Sequence, residues 1–149
     1  LVLARMAGKG ETEKEIASLG MKDTIFKATT TTAADLVTMW RKVYEEKNES
    51  VWGLLQDSIY EDRIPLGLPD GVSFVHKVGT GDGVWADGGI TQCSMSNVPT
   101  MPVGRQCSIK PLVIVILNKD IDADEAKKLV PELTKLIWDY EAGRNAKPQ

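Results

Sequence analysis

The sequence predicts an α+β fold, an antiparallel sheet with helices packed on its faces. Three observations carry this. Residues 1–60 hold apolar residues at helical spacing, residues 72–117 are built from strand-forming types, and residues 121–142 return to a long helical period. Helices, strands and a last helix thus come in blocks rather than as alternating βα units, and no internal repeat is present. The run Asp62-Arg63-Ile64-Pro65-Leu66-Gly67-Leu68-Pro69-Asp70-Gly71 separates the first two blocks. Its prolines and glycines leave room for a structured loop and no regular element. Finally, residues 112–117 are apolar at every position, the pattern of a strand covered on both faces by other layers.

The helices follow in order. Leu1-Val2-Leu3-Ala4-Arg5-Met6 reads as a helix already under way, with no capping residue before it, which suggests part of something longer. After the Gly8-Lys9-Gly10 break, residues 11–19 place Glu13, Lys14 and Glu15 outward and Ile16 and Leu19 inward, with Gly20 where a terminating glycine belongs. The four threonines 29–32 begin a further helix: a Thr three residues before Asp35 resembles a capping box, and Leu36, Met39, Trp40 and Val43 recur at helical spacing. A helix from Glu49 to about Ile59 puts Val51, Trp52, Leu55 and Ile59 on one face. Trp40, Trp52 and Trp138 are expected in the core.

The strands come next. Residues 72–78 alternate with β-branched and aromatic types, and residues 84–95 and 112–117 also favour strands, which makes an antiparallel meander. Residues 96–106, with Pro99, Pro102 and Gly104, read as a connecting loop. The last helix starts at Asp122 with Glu125 three residues on, and Ala126, Leu129, Val130, Leu133, Leu136, Ile137 and Tyr140 form its apolar stripe. The acidic run from Asp120 to Glu125 suits the positive end of that helix.

Composition narrows the function. With 18 Lys+Arg against 21 Asp+Glu and a formal charge of -3 over 149 residues, the chain has no basic stripe for nucleic acid. No segment approaches the roughly 20 apolar residues of a membrane span. Cys93 and Cys107 are too few and too far apart for a zinc framework, and the lone His76 cannot complete one. They fit either buried small apolar residues or a mutual disulfide in an oxidising compartment. No cofactor or metal is called for.

The densest unusual stretch is His76-Lys77-Val78-Gly79-Thr80-Gly81-Asp82-Gly83. Alternate glycines let a backbone approach a ligand, exposed N–H groups can stabilise an oxyanion, and Lys77 adds a positive charge. A glycine-rich hairpin with a solvated lysine fits the same pattern. A Walker phosphate loop does not, because it puts its lysine after the glycines and a helix next. His76, next to Lys77 on an alternating strand, points to the opposite face, which suits a packed residue better than a general base. Asp82 and Asp87 could form a metal or acid pair, although two carboxylates near a turn more often serve the hairpin.

At this stretch the sequence resembles the serine β-lactamase and penicillin-binding protein group. Lys77-Val78-Gly79 looks like its strand motif K-T-G, within Phe74 to Gly81 and followed by Ala86-Asp87-Gly88-Gly89-Ile90. Leu19-Gly20-Met21-Lys22-Asp23-Thr24, the helix start from Thr29 to Leu36, and Asp62 to Pro69 also look like the class A-like members, in that order. The resemblance covers almost the whole chain and only the C-terminal portion of the family's domain. It implies a β-lactamase/transpeptidase-like fold incomplete at its N-terminus, comprising a helical part (1–60), the strand meander (72–117) and the final helix (121–142). It also implies a periplasmic or extracellular protein acting on β-lactams or a peptidoglycan-like peptide. By the same resemblance Lys77 steadies the substrate carboxylate and the proton network, and the Thr80 main-chain N–H is one of two oxyanion donors. Val78, Gly79, Gly81 and Trp85 lie along the substrate.

Several departures accompany the match. None of the seven serines has a lysine three positions later, and Ser-Asp-Asn does not occur, so the nucleophile segment must come from a missing N-terminal segment or a complementary chain. Val78 stands in place of a hydroxyl residue, Trp85 stands near where many relatives carry a carboxylate-binding arginine, and residues 26–32 are too short for a loop bearing a deacylating glutamate. The chain alone is expected to be inactive. The alternative is a catalytically inactive or slow penicillin-binding module that holds a peptide or a protein partner.

Overall fold

A computed structural model describes residues 8–93 and 110–145. The chain divides into two compact units, Leu1–Lys47 and Asn48–Gln149. The loop expected at 96–106, the helix expected at 1–6 and the Cys93–Cys107 alternative lie outside the described residues.

In the first unit, helix α1 spans Lys9–Ser18, so the Gly8-Lys9-Gly10 break is narrower than expected: Gly8 precedes the helix at φ 82 and Gly10 lies in its first turn. Gly20 follows at φ 74, the left-handed turn that its sequence position implies. A single 3-10 turn, Phe26–Ala28, is closed by the Ile25–Thr30 bridge. Helix α2, Ala33–Glu46, begins at Thr32, whose Oγ1 accepts from the Asp35 N–H at 3.2 Å. Asp35 in turn is buried and accepts from the Asp23 N–H at 2.8 Å and Thr24 Oγ1 at 2.7 Å. The threonine run and Asp35 therefore tie the preceding loop to the helix start. Trp40 is buried, as its spacing predicts.

In the second unit, helix α3 spans Glu49–Gln56 behind an Asn48 cap. It stops short of the expected Ile59, which is exposed, because Asp57 ends the helix and Ser58 turns its hydroxyl to the Tyr60 N–H instead. The proline-rich run is not wholly irregular, since Ile64–Gly67 forms one 3-10 turn with Pro65 in its first positions. Strands β1 (Val72–Gly81) and β2 (Val84–Cys93) form a hairpin around Asp82-Gly83, and β3 (Val113–Ile116) pairs antiparallel with β2. The order β1-β2-β3 is the meander expected from the strand pattern. The first strand runs past Val78 to Gly81 because Gly79, Thr80 and Gly81 find partners in Ala86, Trp85 and Val84.

Helix α4, Ala123–Asn145, starts where Asp122 Oδ1 accepts from the Asp124 and Glu125 N–H groups. It packs on one face of the sheet. Ile64, Phe74, Ile114 and Val130 form the buried centre, with Leu68, Trp85, Leu112, Ile116 and Ile137 against it. Only part of the predicted stripe turns inward. Ala126 and Val130 are buried, whereas Leu129, Leu133, Leu136 and Tyr140 form an exposed second stripe. The uniformly apolar third strand is outermost in the described sheet: Ile114 is buried, and Val113 and Val115 are half-buried. Full burial on both faces is therefore not reached.

Gly67 permits the closest approach. A Cβ there would lie 2.3 Å from Pro131 O and 2.5 Å from Thr134 Cβ, so the 3-10 turn meets α4 backbone to backbone. Gly89 does the same within the sheet, where a Cβ would lie 2.2 Å from Val75 O and 2.6 Å from His76 Cβ.

Candidate active site

Strand alternation sorts the candidate residues. Phe74, His76, Val78 and Thr80 share the face covered by α4, with Trp85 and Asp87 beside them on β2, whereas Lys77, Gly79 and Gly81 share the other. Lys77, Gly79, Thr80 and Gly81 are exposed, and Val78 and Trp85 are half-buried. A Cβ at Gly79 or Gly81 would meet only Ala86 or Val84 at 3.7 or 3.8 Å. Among the described residues nothing crowds those glycines, and they leave a bare backbone beside Lys77.

The pairing register decides where Thr80 aims its main chain. Trp85, its cross-strand partner, donates its N–H to Asn118 Oδ1 at 2.7 Å and accepts from Asn118 Nδ2 at 2.6 Å. Asn118 follows β3, so both groups of Trp85 point away from β1. In an antiparallel ladder the opposite residue of such a pair also points outward. The Thr80 N–H and C=O are therefore directed to the edge of β1 that no described strand pairs. Val78 shares that orientation, and its carbonyl accepts from Lys77 Nζ at 2.6 Å. The structure thus brings the Lys77 ammonium and the Thr80 N–H to one unpaired edge, although their side chains leave the strand on opposite faces.

Arg63 is the residue that sequence reading missed. It is buried, and its guanidinium lies over the hairpin: Nη1 donates to Gly79 O at 2.8 Å and Ala86 O at 2.5 Å, and Nη2 donates to Thr80 Oγ1 at 2.5 Å. Its Cζ stands 4.1 Å from the Trp85 ring centroid. Such a planar fork can satisfy several acceptors and stack on an aromatic at once. Trp85 accordingly packs under Arg63 on the helix-covered face, across the sheet from Lys77. The only signal in the sequence was an arginine set in a loop of prolines, glycines and aliphatic residues.

His76 and Asp87 sit deeper. His76 Nδ1 donates to Asp87 Oδ1 at 2.8 Å, and both residues are buried. The Glu61 carboxylate lies 3.9 Å from His76 Nε2. Asp82, in contrast, is an exposed turn residue. Among the described residues no group of histidine, cysteine and acidic side chains could hold a metal, and no helix is long and apolar enough to cross a membrane.

Against known proteins, residues 1–99 match the sequence profile described as the Beta-lactamase enzyme family. Among solved structures, PBP-A aligns at 16% identity over 95% of this chain and 54% of its own, with a TM-score of 0.73. The beta-lactamase from Sphaerobacter thermophilus DSM 20745 aligns at 18% identity over 99% of this chain and 58% of its own, with a TM-score of 0.74. A mutant of PBP-A, solved as an acyl-enzyme complex with penicillin G, aligns at 16% identity over 90% and 52%, with a TM-score of 0.69. At these identities the likeness is one of fold, and the chain spans little more than half the length of each. Curated proteins give no match.

Proposed function

This chain belongs to the beta-lactamase enzyme family, and from that premise we propose that it forms the substrate-anchoring portion of a serine acyl-transfer site for β-lactams. The observation that carries this reading is the shared edge of β1, where the Lys77 ammonium and the Thr80 N–H are presented together beside the bare backbone at Gly79 and Gly81. An edge strand with outward N–H and C=O groups can take an extended, amide-like substrate as an added strand.

In this reading the Thr80 N–H stabilises the charge that develops on the carbonyl oxygen under attack, and Lys77 holds the substrate carboxylate and serves the proton network. A second donor and the serine nucleophile with its lysine come from polypeptide beyond this sequence, which contains no Ser-x-x-Lys. Attack by the hydroxyl opens the β-lactam C–N bond, the serine proton passes to the departing nitrogen, and an acyl-enzyme remains. Arg63 supports the edge from behind by fixing Gly79, Thr80 and Ala86. Val78 supplies no hydroxyl to the substrate carboxylate. That gap favours a second reading, a slow or inactive module that holds a peptidoglycan-like peptide.

Exposure of the full-length protein to a fluorescent penicillin tests the two. Covalent labelling that is lost in Lys77→Ala and blocked by unlabelled penicillin G supports acyl transfer, and turnover of a chromogenic cephalosporin extends it to hydrolysis. Reversible peptide binding without a covalent adduct selects the second reading.

A further inference from the structure

Two of the working residues proposed above, Arg63 and Lys77, each adjoin a residue bonded to one buried carboxylate. Asp87 is 2% exposed and lies on β2 with a hydrogen-bond partner on each side of its carboxylate. Oδ1 accepts from His76 Nδ1 and from the Gly88 N–H, each at 2.8 Å, and Oδ2 accepts from the Ile64 N–H at 3.3 Å. Ile64 is the residue after Arg63, and His76 is the residue before Lys77. One carboxylate therefore bonds the chain next to both cations.

We propose that Asp87 is a positioning residue of the acyl-transfer site, holding Arg63 and the Lys77 segment in register through Ile64 and His76. The proposal rests on the acyl-transfer reading. A carboxylate is costly to bury, and the cost is offset only where donors surround it. One donor is the neighbouring Gly88 N–H, and the other two are brought from farther along the chain. Gly89 leaves space for the His76 backbone and Cβ, and the 3-10 turn at Ile64–Gly67 aims the Ile64 N–H into the sheet. As a carboxylate Asp87 can only accept, which makes Nδ1 the donor of this bond. Loss of the Ile64 link frees the loop that carries Arg63, and with it the guanidinium that holds Gly79 O and Thr80 Oγ1. Asp87 touches no substrate in this scheme and acts through Arg63.

The full-length protein with Asp87→Asn tests this. Asparagine keeps the volume and one acceptor, but its amide group cannot accept from the Ile64 N–H while its oxygen stays on His76 and Gly88. The rate of acylation by a fluorescent penicillin is expected to fall about tenfold, while in an Arg63→Gln background the same change adds less than about twofold, the non-additivity of residues acting as a unit. Additive losses would overturn the proposal, because Asp87 would then act independently of Arg63. A second comparison serves if Asp87→Asn does not fold. His76→Gln, which can still donate to Asp87, should keep an acylation rate within about threefold of wild type, whereas His76→Leu should not. Equal losses in the two would count against it. Amide hydrogen exchange at Ile64 gives a readout that needs no reaction: faster exchange in Asp87→Asn is expected, and unchanged exchange overturns the link. A protein that takes no label yet shows the exchange change sinks the acyl-transfer reading and leaves the Asp87 connection standing.

Discussion

Asn118 bonds both main-chain groups of Trp85, at 2.7 and 2.6 Å, and so stands in for a strand partner just past the end of β3. The consequence crosses the hairpin. With Trp85 occupied on that side, Thr80 opposite it must direct its own N–H and C=O outward. Asn118→Leu removes both bonds and leaves two polar groups of a half-buried residue unsatisfied. A loss of about 2–4 kcal/mol in unfolding free energy is expected from denaturant titration. Asn118→Asp, which keeps the acceptor and loses the donor, should fall between.

The orientation of Thr80 makes a proline substitution informative. Proline is tolerated in edge strands where the missing N–H is not part of the ladder. Thr80→Pro in the full-length protein should therefore fold with a small change in melting temperature. It should also lower acylation roughly 10²- to 10³-fold, the usual cost of one oxyanion donor. Thr80→Val, which keeps the N–H and removes only the Arg63 contact to Oγ1, should lose far less. Equal losses in the two would remove the oxyanion role.

Glycine substitutions separate packing from propensity. Gly67→Ala forces a Cβ onto the backbone of Pro131 and is expected to destabilise by about 1–3 kcal/mol, as overpacking does. Gly53→Ala, inside α3 with open space around it, is expected to stabilise by up to about 1 kcal/mol through helix propensity. Thermal melts of the two variants should move in opposite directions.

Asp35 gives a check within the first unit. Its carboxylate, buried, takes one main-chain and one hydroxyl donor. Asp35→Ala leaves the Asp23 N–H and the Thr24 hydroxyl without that acceptor, and a loss of about 2–4 kcal/mol is expected. Proteolysis should then cut more readily between Met21 and Thr32, where the loop is no longer tied to α2.

The outer face of α4 exposes Leu129, Leu133, Leu136 and Tyr140 at spacings of four, three and four residues, a seam suited to another helix. Expressed as these 149 residues, the chain should self-associate. Leu133→Glu with Leu136→Glu should shift it toward monomer in sedimentation velocity. A monodisperse, unaltered monomer would contradict this.

Local chemistry was legible along the chain wherever one residue answers to its near neighbours. Thr32 caps α2, Gly20 turns left-handed after α1, Asp122 starts α4, and alternation places His76 and Lys77 on opposite faces. The strand order followed from pattern in the same way, whereas the first strand runs on past Val78 to Gly81. What pattern could not decide were relationships between distant residues. Periodicity put Leu129 and Val130 in one stripe, but only the position of the sheet selects which of them is covered. Likewise, Arg63 is one charged residue in a loop until the 3-10 turn carries it over the hairpin to Gly79, Thr80 and Ala86. The sequence alone determined element types, caps and the glycine-flanked lysine, because those depend on backbone sterics and local hydrogen bonds. Tertiary structure alone decided which edge Thr80 faces and what holds it there, because pairing register and the contacts of Asn118, Asp87 and Arg63 join residues that chain order keeps apart.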